Sequence, residues 1–269
     1  MRKPIITLLT DFGIKDPYVA SMKGVILNIN PRCTLIDITH NVNPHDIQEG
    51  AFLLAKTYSY FPKGTIHLSV VDPGVGGARK PILLETENYF FVGPDNGLFT
   101  LVAEKEKVKQ TVVLTEKKYF LSKVSITFHG RDVFAPVAAY LSLGTKPNVF
   151  GYEINSLKKL PFGKPAIKGG KLLGEILHID AFGNLVTNID VETLLRFTKN
   201  RSFVIRTKGE IIQGLKKGYW EGKKGEPIAL LESNGFLEIA MNKKNAQKAL
   251  EGKKGDPITI IIQPIADGL

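Results

Sequence analysis

The feature that most constrains the fold of this 269-residue chain is an alternation of apolar strands and helical patterns in its first part. Apolar runs predict strands at residues 5–12, 33–38 and 65–71, and apolar side chains three and four residues apart predict helices at 18–29 and 47–60. This order is typical of a mainly parallel sheet covered by helices. Such sheets bind ligands at the carboxyl ends of their strands. We therefore predict an N-terminal α/β domain with a site at that edge.

The rest of the chain follows another pattern and predicts an all-β C-terminal barrel domain. Short apolar strands separated by glycine turns are typical of a small antiparallel barrel or sandwich. These strands are predicted at 172–179, 185–189, 202–206, 228–231, 236–240 and 258–262. A stretch with several prolines and glycines predicts a linker at 161–170, which leaves domains at 1–160 and 171–269.

The amino-acid composition argues against a disordered, a disulfide-bonded and a membrane-spanning protein. Hydrophobic residues make up 43% of the chain, which argues against disorder. The single cysteine, Cys33, excludes an internal disulfide and a cysteine-based zinc site. The apolar run at residues 5–9 is too short for a signal peptide or a membrane span, and Asp11 follows it closely. We expect a cytoplasmic protein without a membrane partner.

The net charge of +10 does not predict a nucleic-acid partner, because the charge is dispersed. Lysines occur in six separate pairs, often beside glutamate or glycine, without a long basic face or interleaved aromatics. Such pairs are typical of solvated loop ends. The lysine and glutamate bias also suits a heat-adapted surface.

The segment VVDPGVGGAR at 70–79 is the strongest candidate site. It ends a strand with the carboxylate of Asp72 and follows it with a glycine-rich corner and Arg79. The glycines allow positive φ and close approach of a ligand, and Arg79 can hold Asp72 ionised. The corner matches neither phosphate-loop pattern and no helical pattern follows it, so we reject a phosphate cradle. Taken alone, the pair is also compatible with a structural ion pair.

Other polar residues each have a functional and a structural interpretation. Asp11 ends the first strand, where a carboxylate can accept two hydrogen bonds from a ribose diol. His129 lies in a loop before a predicted helix, where an imidazole can orient water or share a proton. Asp37, His40 and His45 resemble a metal cluster superficially, but their spacing fits no standard ligand pattern, so no metal is expected. The turns at 180–188 and 231–241 are ordinary hairpin turns or ligand contacts.

Six motifs in order along the chain resemble the S-adenosylmethionine hydrolases, also called S-adenosylmethionine hydroxide adenosyltransferases, which are related to fluorinase and chlorinase. The motifs are TDFG, VVDPGVGGAR, GPDNG, TFHGRD, DAFGNLVTNI and SNGFLEIA. The resemblance implies an N-terminal α/β domain, a C-terminal β-barrel domain and a homotrimer. It also implies active sites between the N-terminal domain of one subunit and the C-terminal domain of the next.

The resemblance implies a role for each matching residue. Asp72, Arg79 and His129 correspond to the set that serves the nucleophile. The substrate-binding positions are Asp11 for the ribose hydroxyls, Asp180 and Ser233 for the methionine end, Asn184 for the adenine edge with Phe182 packing nearby, and Glu238 and Met241 to complete the nucleoside pocket. Val186 stands where the halogenases carry a large aromatic residue, which leaves the stacking partner of the adenine open.

The implied reaction is hydrolysis of S-adenosylmethionine to adenosine and methionine, with the compound as substrate and no cofactor. The halide-using relatives carry hydroxyl residues where this chain has Asp72 and His129, and a serine at Gly130. An anionic Asp72 would repel a halide and accept a hydrogen bond from water, which favours water as the nucleophile. Two alternatives stay open: a halogenase or dehalogenase, and a non-catalytic protein that binds adenosine or S-adenosylmethionine.

Overall fold

The computed structural model describes residues 3–264, and the chain divides into two compact units, Met1–Pro161 and Phe162–Leu269. The ends of the predicted domains, residues 1–2 and 265–269, lie outside the described residues. Among the described residues, no helix combines the length and the apolar character needed to cross a membrane.

The N-terminal unit contains one seven-stranded sheet with the strand order β2-β1-β3-β5-β4-β6-β7. Its strands are β1 (Ile5–Thr10), β2 (Thr34–Thr39), β3 (Ile66–Val70), β4 (Pro81–Thr86), β5 (Phe90–Pro94), β6 (Val108–Leu114) and β7 (Gly151–Glu153). Its α-helices are α1 (Tyr18–Ile29), α2 (Ile47–Thr57), α3 (Thr100–Lys105) and α4 (Ala135–Ser142). A π-helical segment, Gly130–Phe134, runs directly into α4.

The prediction of a mainly parallel sheet is not confirmed, because the sheet is mixed. Strand β1 pairs in parallel with β2 and β3, and β3 pairs in parallel with β5. The remaining pairs, β4–β5, β4–β6 and β6–β7, are antiparallel. Only three residues join β4 to β5, and so short a connection can form an antiparallel hairpin but no parallel crossover.

The parallel part of the sheet follows from its sequence. Every residue of β3 is buried, as expected for a central strand covered on both faces. Helix α1, predicted at the same residues, buries Val19, Met22 and Ile26, which lie three and four positions apart on one face. Asp46 caps α2 by accepting a hydrogen bond from the backbone N–H of Glu49. The apolar faces of α1 and α4 contribute to one buried cluster with β1 and β3.

The C-terminal unit contains an antiparallel sheet with the order β12-β11-β15-β9-β10-β14-β13, and β8 pairs with β9 outside this path. Its strands are β8 (Ala166–Lys168), β9 (Lys171–Ile179), β10 (Leu185–Asp190), β11 (Phe203–Thr207), β12 (Glu210–Gln213), β13 (Pro227–Leu231), β14 (Phe236–Met241) and β15 (Pro257–Ile262). The backbone N–H of Lys216, just after β12, donates to the carbonyl of Ala229 in β13 at 2.7 Å. The sheet is therefore nearly closed and barrel-like.

The prediction of an all-β domain is incomplete, because two helices interrupt the strands. They are α5 (Val191–Thr198) and α6 (Ala246–Leu250). Asp190 caps α5 through the N–H of Thr193, and Leu194 and Phe197 bury its apolar face. The segment predicted as a linker, 161–170, includes strand β8.

Candidate active site

Three loops of the N-terminal unit meet beyond the carboxyl ends of β1 and β3. Thr10 pairs with Val70 across these parallel strands, so Asp11 and Asp72 leave the sheet at the same edge. The ring of Phe12 packs edge-on against Phe128, with 5.9 Å between ring centroids. These contacts bring the loop after β1, the glycine corner after β3 and the loop before the π-helix together.

The glycine corner is shaped by close backbone approach. Gly76 has a φ of +74°, and a Cβ at this position would lie 2.3 Å from the carbonyl oxygen of Ile126. Only glycine tolerates both conditions. The corner therefore fits tightly against the segment that leads to His129.

Asp72, Arg79 and His129 form one hydrogen-bonded cluster at this edge. The Nε of Arg79 donates to the two carboxylate oxygens of Asp72 at 2.9 and 3.0 Å, and its Nη2 also donates to Oδ2. The same Nη2 lies 2.8 Å from Nδ1 of His129. The side chains of Asp72 and Arg79 are only 4% and 8% exposed. Charge-assisted, forked pairs of this kind fix geometry as well as charge.

The cluster defines the tautomer of His129. A guanidinium group has only donors, so Nδ1 of His129 must accept the hydrogen bond from Arg79. The neutral ring then carries its proton on Nε2. Burial, followed by the charge of Arg79, lowers the pKa of His129 below its ordinary value, while Asp72 and Asp132 oppose this shift. His129 is therefore a hydrogen-bond donor at Nε2.

Neighbouring segments hold the cluster in place. Asn96, in the GPDNG turn, donates through Nδ2 to the carbonyl of Val71 at 2.8 Å, directly before Asp72. Asp132 lies fully buried in the π-helix and accepts from the N–H of Ser125 at 2.8 Å and from Arg131. Helices with π-bulges are frequent at functional sites. The GPDNG and TFHGRD motifs thus support the loops that carry Asp72 and His129.

Asp11 lies at the same edge but is not bonded to the cluster. Its Oδ2 accepts a hydrogen bond from the backbone N–H of His45 at 2.9 Å, and its other oxygen has no partner among residues 3–264. His45 has a φ of +68°, an uncommon conformation for a residue with a side chain. The loop after β2 is thus held in a specific shape against Asp11, which keeps acceptor capacity.

The C-terminal unit presents the turn of the DAFGNLVTNI motif. Oδ1 of Asp180 accepts from the N–H groups of Phe182 and Asn184 at 2.9 and 2.8 Å, and Oδ2 accepts from Nδ2 of Asn184 at 2.9 Å. Gly183 has a φ of +84° in this turn. Asp180 therefore orients Asn184, whose side chain makes no other hydrogen bond among the described residues.

A cavity of about 560 Å³ lies beside this turn. Its lining residues are Phe182, Asn184, Tyr219, Met241, Lys243, Lys244 and Asn245. Glu238 is buried behind it and accepts a hydrogen bond from the hydroxyl of Tyr219 at 2.8 Å. The structure thus brings together Phe182, Asn184 and Met241. The sequence interpretation missed Tyr219, because this residue lies in a short turn where no hydrophobic periodicity marks it.

Ser233 is not brought next to Asp180 along the strands of this unit. Strands β10 and β14 pair Leu185 with Ile239 and Asp190 with Phe236. The turn that contains Ser233 is therefore at the other end of this strand pair from the turn at 180–184. The hydroxyl of Ser233 is exposed and contacts Glu232 at 3.4 Å.

Asp37, His40 and His45 do not form a metal cluster. Within residues 3–264, no group of three or more histidine, cysteine, aspartate or glutamate side chains is arranged to hold a metal ion. The ring of His40 instead lies between Thr10 and Asp37, at 2.9 and 3.0 Å, and the backbone of His45 contacts Asp11.

The chain combines an α/β unit that carries this cluster with a barrel-like unit that carries a cavity. Each unit matches one domain of the same class of two-domain proteins. Residues 6–151 match the SAM hydroxide adenosyltransferase N-terminal domain, and residues 174–259 match the C-terminal domain of the same family. The chain belongs to the SAM hydroxide adenosyltransferase family.

Individual relatives cover almost the whole chain. A protein of Methanocaldococcus jannaschii named (R)-S-adenosyl-L-methionine hydrolase is 41% identical in an alignment of 267 positions that covers 96% of this chain and 95% of that protein. A fluorinase of an Actinoplanes species is 28% identical in an alignment of 276 positions that covers 89% of this chain and 91% of that protein. The crystal structure of an uncharacterized conserved protein from Thermotoga maritima superposes with a TM-score of 0.90 at 38% identity, covering 95% of this chain and 99% of that one.

Proposed function

We propose that this protein hydrolyses S-adenosyl-L-methionine to adenosine and L-methionine. The observation that carries the proposal is the buried cluster of Asp72, Arg79 and His129 at the carboxyl edge of the N-terminal sheet. The identity of 41% to a protein named (R)-S-adenosyl-L-methionine hydrolase supports it and favours the R epimer as substrate.

The reaction is an in-line displacement at the ribose C5′. The oxygen of water or hydroxide forms a bond to C5′ while the bond between C5′ and sulfur breaks, and the electron pair of that bond stays on sulfur. The sulfonium leaves as a neutral thioether, so no general acid is needed for the leaving group. The proton of an attacking water passes to Asp72 or to solvent.

The cluster supplies complementary hydrogen bonds for this nucleophile. His129 donates from Nε2 to the nucleophilic oxygen, since its Nδ1 accepts from Arg79. Asp72 accepts from the water through Oδ1, which accepts only from Nε of Arg79, whereas Oδ2 already accepts from both Nε and Nη2. Arg79 fixes both groups. The negative charge of Asp72 disfavours a halide at the same position.

The remaining residues bind the substrate. Asp11, with one unpartnered carboxylate oxygen, accepts hydrogen bonds from the ribose hydroxyls. Asn184 offers a donor and an acceptor to the adenine edge, a pairing that amide side chains commonly make with adenine. Phe182 and Met241 form the apolar wall of the pocket, with Glu238 behind it. Asp180 binds the methionine end, whereas Ser233, at the other end of the β10–β14 pair, is not assigned to the same group within this unit.

Assembly, location and cofactor use complete the proposal. The protein forms a homotrimer in the cytoplasm and needs neither a cofactor nor a metal ion. Light scattering during size-exclusion chromatography measures the mass of the assembly, and the expected value is three times that of one chain. We expect activity to survive removal of metal ions by a chelator.

The decisive assay is incubation with S-adenosylmethionine, with and without chloride or fluoride, followed by chromatography. The expected products are adenosine and methionine in both conditions. In ¹⁸O-labelled water the label must appear in the 5′-hydroxyl of adenosine. A 5′-halogenated nucleoside would identify a halogenase, and tight binding without release of methionine would identify a non-catalytic binding protein; either result rejects the proposal.

A further inference from the structure

A second histidine, His40, connects the loop of Asp11 to the edge strand β2. Its Nδ1 lies 2.9 Å from the hydroxyl of Thr10, and its Nε2 lies 3.0 Å from Oδ1 of Asp37. The side chain of His40 is only 6% exposed, whereas that of Asp37 is 41% exposed and also accepts from Lys23 at 2.6 Å. The contacts therefore run from the surface of β2 to the buried end of β1.

The hydroxyl of Thr10 connects His40 to the turn that begins at Thr10. It accepts from the backbone N–H of Phe12 at 3.3 Å and hydrogen-bonds with Nδ1 of His40 at 2.9 Å. Nε2 of His40 is buried and lies 3.0 Å from Oδ1 of Asp37 without hydrogen-bond geometry. The contact between Thr10 and His40 thus fixes this turn.

The backbone of β2 is adapted to place His40 there. Leu8 pairs with Asp37 and Leu9 with Thr39, so β2 carries one extra residue, Ile38, as a bulge. A shift of one residue reverses the faces of all following side chains, and bulges re-aim side chains near sites. His40 is the first residue after β2.

Backbone bonds then join the two loops that surround Asp11. The N–H of Gly13 donates to the carbonyl of His40 at 2.7 Å, and the N–H of Val42 lies 3.4 Å from the carbonyl of Thr10. The N–H of His45, a residue with positive φ, donates to Asp11 itself. A strained residue keeps such a conformation only when its surroundings determine it.

We propose that His40, through Thr10 and the loop up to His45, positions the carboxylate of Asp11 for the ribose. His40 is a positioning residue that touches neither substrate nor nucleophile. This inference rests on the proposed function, in which Asp11 binds the ribose hydroxyls.

The chain offers a matched control in His67. His67 is buried, as His40 is. Its Nδ1 contacts the hydroxyl of Thr7 at 2.8 Å, so each of the two histidines contacts a threonine of β1. The ring of His67, however, lies among aromatic side chains, stacking on Phe91, and within the described residues its only side-chain hydrogen bond is the one with Thr7. Its loss should affect stability alone.

The test measures the dissociation constants of adenosine and 2′-deoxyadenosine by calorimetry, because nucleoside binding needs no turnover. The wild type should prefer adenosine, and Asp11→Ala should abolish the preference. His40→Ala should lower the preference roughly tenfold, the scale of one hydrogen bond to a charged group. When both substitutions are combined, His40→Ala should cause no loss of preference beyond that of Asp11→Ala alone. His67→Ala should lower the melting temperature and keep the preference.

A pair of substitutions at Thr10 covers the case in which His40→Ala does not fold. Thr10→Val removes the hydroxyl at nearly constant shape and should reduce the preference, and Thr10→Ser should restore it. An unchanged preference in both His40→Ala and Thr10→Val overturns the inference. An unchanged preference in Asp11→Ala instead rejects the ribose role of Asp11, and the failure to form adenosine in the assay above rejects the proposed function separately.

Discussion

The two units carry polar groups in opposite ways. In the N-terminal unit, Asp72 and Arg79 are buried and ion-paired, and His129 joins them, so the charges are oriented before any ligand binds. In the C-terminal unit, the cavity beside Asn184 is lined by three apolar or aromatic side chains, two amides and two lysines, with the buried carboxylate of Glu238 behind Tyr219. Preoriented charges stabilise developing charge, whereas an apolar cavity with a few polar groups gives affinity and orientation. We therefore assign chemistry to the first unit and recognition to the second.

Asp72→Asn should have the largest effect and should act on kcat. An amide cannot accept at both positions from Arg79 and loses the charge that holds the cluster together. We expect kcat to fall by roughly 10²–10⁴-fold, the range for a positioned acid–base group, with little change in KM. Single-turnover kinetics measure the chemical step directly. A rise in KM at constant kcat would show that Asp72 serves binding, and it would contradict the assignment of chemistry to the N-terminal unit.

The pH dependence of kcat/KM tests the state of His129. Its pKa is lowered by burial and by Arg79, and only the neutral ring accepts the hydrogen bond from Arg79. Activity should therefore be constant above the ordinary value of about 6.5 and fall as the pH drops through the lowered pKa. The acid limb should disappear in His129→Gln, at a lower overall rate. An acid limb centred above the ordinary value would contradict the tautomer that the cluster defines.

Asn184→Ala should raise KM with little effect on kcat. Asn184 is oriented by Asp180 beside the cavity, and the loss of a hydrogen-bonding side chain there costs about 1–2 kcal/mol, or roughly tenfold in affinity. Trp220→Ala is the control, because Trp220 is 75% exposed and does not line the cavity, although it follows Tyr219. A fall in kcat equal to the rise in KM would place Asn184 in the chemical step and weaken the division between the units.

Local patterns predicted single elements well and their assembly less well. Helix α1 begins and ends at the predicted residues, because its apolar spacing is a local property. The extent of the antiparallel part of the sheet was not foreseen, since β6 and the pairing of β4 with it depend on contacts between distant segments. Strand direction is decided by connections and burial rather than by periodicity.

The candidate site, like the sheet, depends on contacts between distant segments that local patterns do not predict. Asp72 and Arg79 are seven residues apart and were expected to pair, but 50 residues separate Arg79 from His129 and no spacing rule joins them. Only the ordered motifs pointed to that group. Tyr219 has no such signal, because its place in the cavity depends on the folding of a turn onto β14.

Two glycine substitutions give the most direct comparison of the units. Gly76 and Gly183 both have positive φ, +74° and +84°, so alanine strains both by about 1–2 kcal/mol. A Cβ at Gly76 would also meet the fixed backbone carbonyl of Ile126 at 2.3 Å, whereas at Gly183 it would meet the side chain of Asn245, which can move only by giving up its cap of α6, at a cost of about 1 kcal/mol. Gly76→Ala should therefore lower the melting temperature more.

Gly76→Ala and Gly183→Ala should also differ in their kinetic effects, because we assign chemistry to the N-terminal unit and recognition to the C-terminal unit. Gly76→Ala disturbs the corner between Asp72 and Arg79 and should lower kcat, while Gly183→Ala disturbs the turn of Asn184 and should raise KM. Gly64→Ala is the control for backbone strain alone, because its φ is +85° and no atom lies within 4 Å of the added Cβ. If Gly76→Ala changed only KM, the glycine corner would belong to substrate binding, and the N-terminal unit would share recognition with the C-terminal unit.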